Sequence, residues 1–172
     1  MMFRRSGLHA LAMALIASTP SHAADAGAAG ACASTEHRQF DFWLGDWDAS
    51  WSGEQRGINR ISKRWDIVVV EEFDGSAATG LLGHSVSLFD SNTKQWKQTW
   101  VDNQGSYLDF IGGFADGRMT LSRSFQKDGK AVHQRMVWYD IKPDAFEWNW
   151  ERSLDAGKTW EVVWQIHYAR RK

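Results

Sequence analysis

The chain is predicted to fold as an all-β protein, an antiparallel up-and-down barrel of about ten strands with a short N-terminal helical turn. Three observations carry that prediction. Trp supplies 11 of the 172 residues, and Trp96/Trp100, Trp148/Trp150 and Trp160/Trp164 recur two or four positions apart, the spacing at which strand side chains return to one face. Turn-forming residues recur at close intervals from Ser52-Gly53 onward, so most connections have hairpin length. Consecutive strands joined in this way run antiparallel to their neighbours, and a meander of that size removes its exposed edges by closing on itself.

Residues 1–23 stand apart from the fold. Arg4 and Arg5 precede an apolar run, Leu8 to Ala17, which ends at Thr19-Pro20 and then Ser21-His22-Ala23; this is the form of a secretory signal peptide cleaved after Ala23. The run is shorter than the roughly 20 residues of a membrane span. Ser6-Gly7-Leu8 fits a twin-arginine signal poorly, so export by the general secretory route is expected, with a periplasmic or secreted product and no membrane anchor. Residues 24–37 read as a flexible, Ala/Gly-rich leader. Cys32 follows Ala29-Gly30-Ala31 and lacks the Leu-like residue of a lipid-attachment site. As the only cysteine it cannot form an internal disulfide, which leaves stability to the core.

Residues 38–172 form a single domain of ordinary size. Phe40 to Leu44 reads as a helical turn placed to plug one barrel mouth. Strands are expected at 47–52, 56–64, 67–73, 81–89, 95–101, 107–114, 118–125, 131–141, 145–153 and 159–169, with breaks at turn formers such as Asp74-Gly75, Asp116-Gly117, Asp128-Gly129 and Pro143-Asp144. On 145–153, Trp148 and Trp150 share one face and Glu147, Asn149 and Glu151 the other. On the last strand Trp160, Val162, Trp164, Ile166 and Tyr168 alternate onto one face. Ser153-Leu154-Asp155-Ala156-Gly157-Lys158-Thr159-Trp160 resembles an Asp-box, a hairpin turn in which Asp and Ser/Thr side chains bond turn amides and the Trp packs beneath. We read it as structural, because a propeller needs the box repeated in a longer chain.

The stretch Gln39-Phe40-Asp41-Phe42-Trp43-Leu44-Gly45-Asp46-Trp47-Asp48 resembles the F-D-F-W-x-G-E/D-W opening of a family of exported bacterial proteins grouped with DUF1579-like domains. Asp90 to Asp102, with Trp96-x-x-x-Trp100-Val101-Asp102, and Trp148 to Trp160 extend the likeness over about residues 38–170. The resemblance implies a calycin-type, lipocalin-like barrel and no particular activity. Where that family is expected to carry Gly-Cys in its third strand, this chain has Ile67-Val68, so a disulfide to Cys32 has no partner.

Composition narrows the function classes. With 20 basic and 21 acidic residues the formal net charge is -1, and the only basic cluster is Arg170-Arg171-Lys172; a nucleic-acid partner is not expected. A barrel of this size holds a small ligand if its interior is not filled, so the informative residues are polar ones on apolar strand faces. Gln98 lies between Trp96 and Trp100, Arg123 between Leu121 and Phe125, Gln134 between Val132 and Met136, and Arg152 beyond Trp148 and Trp150. The expected ligand-binding set is Gln98, Trp100, Arg123, Gln134, Trp148, Trp150, Arg152 and Trp164, holding a small apolar or aromatic molecule, with Arg123 or Arg152 able to pair an acidic group. The competing reading has the charged members pairing internally or reaching past the rim.

Two other classes are weighed. A small-barrel isomerase, cyclase or hydratase uses one acid or base in an apolar pocket, and here Glu72, after Val68 and Val70, with His84, between Leu82 and Val86, is the pair to test. Glu71 and Glu72 point to opposite faces and cannot act together, and no G-x-S-x-G elbow is present. A non-catalytic interaction module docking on another envelope protein is the remaining alternative. Haem or metal is suggested by His37, His84, His133 and His167 and by the haem-binding nitrobindins, but no two histidines have ligand spacing, His133 and His167 read as solvent-facing, and no cofactor is expected.

Overall fold

A computed structural model describes residues 34–172, the side chain of Gln55 apart. The expected signal peptide, Cys32 and nearly all of the expected leader lie outside the described residues. Ten strands follow in chain order: β1 (Gly45–Trp51), β2 (Glu54–Arg64), β3 (Val68–Gly75), β4 (Leu81–Asp90), β5 (Gln95–Asp102), β6 (Tyr107–Ala115), β7 (Arg118–Lys127), β8 (Lys130–Lys142), β9 (Ala145–Ser153) and β10 (Glu161–Arg170). Each pairs antiparallel with its chain neighbours, and β1 pairs with β10 to close the barrel. Closure leaves no sheet edge unpaired.

The turns are built as the sequence indicates. Asp116-Gly117 and Asp128-Gly129 take positive φ at both residues, the conformation that two-residue hairpins require. In the 153–160 turn Ser153 Oγ accepts from the Gly157 amide at 2.9 Å, and the Asp155 carboxylate accepts from the Thr159 amide at 2.9 Å and from the Thr159 hydroxyl at 2.6 Å. Those bonds lower the Asp155 carboxyl to about 2, the Thr159 hydroxyl contributing most.

One mouth is plugged. Two 3₁₀ turns, Thr35–Arg38 and Asp41–Trp43, drop into the barrel end. Phe40 is fully buried there, its ring edge-on to Trp96 at 4.8 Å and to Trp138 at 5.2 Å. Trp47 Nε1 donates to the Trp43 carbonyl at 2.7 Å, Trp96 Nε1 donates to Gln39 Oε1 at 3.0 Å, and Lys63 pairs with Asp41. The ordered fold begins ahead of residue 38, because His37 is buried against Phe89 at 5.4 Å with Nδ1 bonded to Ser34; this shortens the expected leader. At the seam, Arg170 Nη1 donates to the Leu44 carbonyl at 2.9 Å and its guanidinium lies 4.1 Å over Trp47. Gly45 permits the approach: φ there is 115°, and a Cβ would fall 2.5 Å from Arg170 Nη1.

The last strand departs from simple alternation. A bulge between Val162 and Trp164 shifts the register, so Val162 pairs with Glu151 on the outer wall while Trp164, Ile166 and Tyr168 stay inside. Trp160 lies before the strand and packs outside, with the Arg135 guanidinium 4.0 Å from its ring. The expected run of five inward side chains is therefore three. Outside β8–β10 runs a polar network: Arg135 Nε donates to Glu151 at 2.5 Å, Asn149 Nδ2 to Glu151 at 3.0 Å, Tyr139 Oη to Asn149 at 3.2 Å, and Gln165 Nε2 to Tyr139 at 2.8 Å.

Candidate functional site

Above the plug the barrel encloses a cavity of about 320 Å³, floored by Trp43 and Trp138 and reaching Leu81, Leu108 and the half-exposed Val163 at the opposite end. Its wall is built by alternation on six strands: Glu71 and Phe73 from β3, Trp100 from β5, Phe110 from β6, Met136 from β8, Trp148 and Trp150 from β9, and Trp164, Ile166 and Tyr168 from β10. The rings brace one another, Trp148 against Trp164 at 5.8 Å and 89°, Phe73 against Trp164 at 6.0 Å and 88°, edge-to-face contacts that each add about 0.5–1.5 kcal/mol to area burial. Trp100 reaches the rim, where its Nε1 donates to Asp102 Oδ2 at 3.0 Å. Its ring lies across Gly83, where a Cβ would stand 2.0 Å from it.

One polar cluster interrupts the aromatic wall. Asn59 Nδ2 donates to Glu71 Oε1 at 2.7 Å, and Ser85 Oγ donates to Glu71 Oε2 at 2.6 Å. Glu71, Asn59 and Ser85 are all buried. Burial pushes the Glu71 carboxyl up to about 7 against the opposing pull of Ser85 and Asn59. The buried Tyr168 phenol is raised by burial and then by the charge of Glu71, while Asn59 works the other way. On the cavity floor neither indole N–H of Trp43 or Trp138 has a hydrogen-bond acceptor, and both atoms are buried. The site thus offers an apolar, aromatic slot with one carboxyl in its side.

The sequence-derived set divides. Trp100, Trp148, Trp150 and Trp164 line the cavity. Gln98 points inward but lies apart from the lining, buried, with Nε2 donating to Ser87 at 2.8 Å and Oε1 unpartnered. Arg123, Gln134 and Arg152 form a cross-strand row one step beyond Leu121, Met136 and Trp150, toward the open rim. There Arg152 donates to Glu161 at 2.7 Å and Arg123 lies 4.9 Å over Phe125.

Glu72 and His84 require a correction of position. They face each other across β3 and β4 on the outer wall, both exposed, and do not reach the interior. The inward residues of β3 are Val69, Glu71 and Phe73. Alternation alone does not separate the faces here, since Val70, Val86 and Leu88 make the outer wall as apolar as the inner one. The aromatic residues did mark the inside: Phe73 and Phe89 share parity with Glu71, Ser85 and Ser87, and cross-strand register joins Glu71 to Ser85. His167 is exposed and bonded to Glu147, and His133 is bonded to Ser124. Among the described residues no three His, Cys, Asp or Glu side chains converge as a metal set, and no helix is long and apolar enough to cross a membrane. Compared with known proteins, the chain matches no family model and no curated protein.

Proposed function

We propose that the protein is an exported carrier or receptor that holds a small apolar or aromatic molecule inside its barrel, between Trp100, Trp148, Trp150 and Trp164. The observation that carries this reading is the cavity itself. A barrel of about eight strands is just wide enough to be filled by its own side chains; this one has ten, and its large aromatic rings frame a space open at one end. Export rests on the 1–23 segment, and mass spectrometry of the protein from its native envelope should find an unmodified N-terminus near Ala24. Membership of the DUF1579-like family rests on the 39–48 motif and adds no activity.

Titration with N-phenylnaphthylamine, a neutral probe excited by energy transfer from tryptophan, tests the reading. Saturable one-to-one binding is expected, and loss of it in Leu108→Trp, which closes the mouth, without loss of the cooperative melt. Absence of saturable binding, or binding indifferent to Leu108→Trp, refutes an interior site. A second reading follows from Glu71 alone: a carboxyl poised near neutrality in an apolar cavity is suited to general acid-base work. Turnover of a bound compound that disappears in Glu71→Gln would move the protein to that class.

A further inference from the structure

We propose that the occupant of the barrel is an organic cation, an aryl-alkyl ammonium ion whose head pairs with Glu71 and whose body lies among the tryptophans. This rests on the interior-binding reading above and adds the sign of the ligand's charge.

Glu71 is the one acidic or basic side chain in the cavity wall, Tyr168 being a phenol. Both its hydrogen-bond partners, Asn59 and Ser85, are neutral. Among the described residues no Lys, Arg or His bonds it. A buried carboxylate normally has a cationic partner, because an unpaired charge in an apolar interior is costly. Here the protein supplies donors that fix both carboxylate oxygens and leaves the countercharge out. The nearby guanidiniums are engaged elsewhere, Arg152 with Glu161 and Arg123 against Phe125 and Phe110.

The wall agrees with a cation. Ring faces of Trp attract ammonium groups, most strongly when water is excluded, and among the described residues no cationic side chain lines this wall. An anionic guest would meet Glu71 with nothing to offset it, and a neutral guest would leave the carboxylate unpaired or require it protonated. Of the groups facing Glu71, Asn59 from β2 and Ser85 from β4 do not titrate, and the Tyr168 phenol from β10 is held protonated by burial and by Glu71 itself. Binding of the cation is therefore governed by ionisation of Glu71, which burial delays to about pH 7.

Calorimetric titration of the intact protein with phenethylamine, phenethyl alcohol and phenylpropanoate separates the charge classes at nearly constant shape. Phenethylamine is expected to bind at least about tenfold tighter than either. Its affinity should rise roughly thirtyfold between about pH 5.5 and about pH 8.5, with proton release at the acid end. Glu71→Gln should abolish both the preference and the pH dependence while N-phenylnaphthylamine still binds. Tighter binding of the alcohol or the carboxylate overturns the proposal, as does an amine affinity flat in pH or unchanged in Glu71→Gln. If that variant does not fold, pH dependence and proton release in the unmodified protein decide. Binding of N-phenylnaphthylamine without the amine refutes the cation alone, and binding of neither refutes the interior site as well.

Discussion

The two ends of the barrel use the same residue type for opposite ends. At the plugged end Trp43, Trp47, Trp96 and Trp138 are at most 2 % exposed, packed around Phe40. At the other, Trp51, Trp100, Trp150 and Trp164 are only partly buried; the last three line the cavity and Trp51 packs against Trp164. All eight alternate onto the inner face of a strand or plug turn. What differs, among the described residues, is that 3₁₀ turns fold into one mouth, whereas at the other the short helix Ser76–Thr79 between β3 and β4 buries none of its residues. Inward aromatic side chains therefore become core or binding surface according to whether a filler arrives.

The sharpest way to break this comparison is to truncate one ring at each end. Phe40→Ala removes a fully buried ring from the plug and should cost about 3–5 kcal/mol in chemical denaturation. Trp100→Ala, at the rim, should cost less than about 2 kcal/mol while removing much of the probe binding. Equal costs would mean that the open end is core after all.

Next in size is a pH effect seated between the two ends. The Glu71 carboxyl is raised from 4.5 to about 7 in the fold, so the native state keeps a proton that the unfolded chain has already released between those values. The contribution of this group to stability is complete below about pH 4.5, declines as the pH rises through the window and is lost above about 7, a change of about 3 kcal/mol. Glu71→Gln should flatten that slope, unfolding at higher denaturant than the parent near pH 8 and at similar denaturant near pH 5. A parental slope that survives in the variant assigns the effect to another group.

The smallest effect belongs outside both ends. Asp155→Ala strips the 153–160 hairpin of its bonds to Thr159 and should lower the denaturation midpoint only slightly, with probe binding intact. A change in probe affinity would tie this turn to the mouth, which Val163 borders.

Much of this was legible from residue order. Strand limits follow the Asp-Gly punctuation and the Asp/Asn-containing turns to within a few residues, and the Phe40–Leu44 plug was marked by its aromatic run ahead of Gly45. Four of the cavity tryptophans, Trp100, Trp148, Trp150 and Trp164, were legible from spacing on β5, β9 and β10. Parity on β3 and β4 was not, because both their walls are apolar, and Glu72 with His84 stood out where Glu71 with Ser85 was the interior pair. Nor was the bulge at Val162, which turns one side chain outward without any glycine to signal it. The empty volume depends on how ten strands close, a quantity no single segment contains.

Nine of the ten strand pairings join elements adjacent in the chain, and only the seam between β1 and β10 does not. There Trp47, Asp48, Ala49 and Ser50 meet Arg170, Ala169, Tyr168 and His167, partners separated by about 120 residues, so the longest loop closure of the fold falls on one event. Hairpins form within about 1–10 μs, and until the seam shuts they make an open, strongly curved sheet whose aromatic face is still wet. The seam is thus the slow step, and it is short. Mutations there, at Gly45 or Arg170, should act on the rate of folding as well as on its equilibrium, while changes in an internal hairpin act mainly on the rate of unfolding.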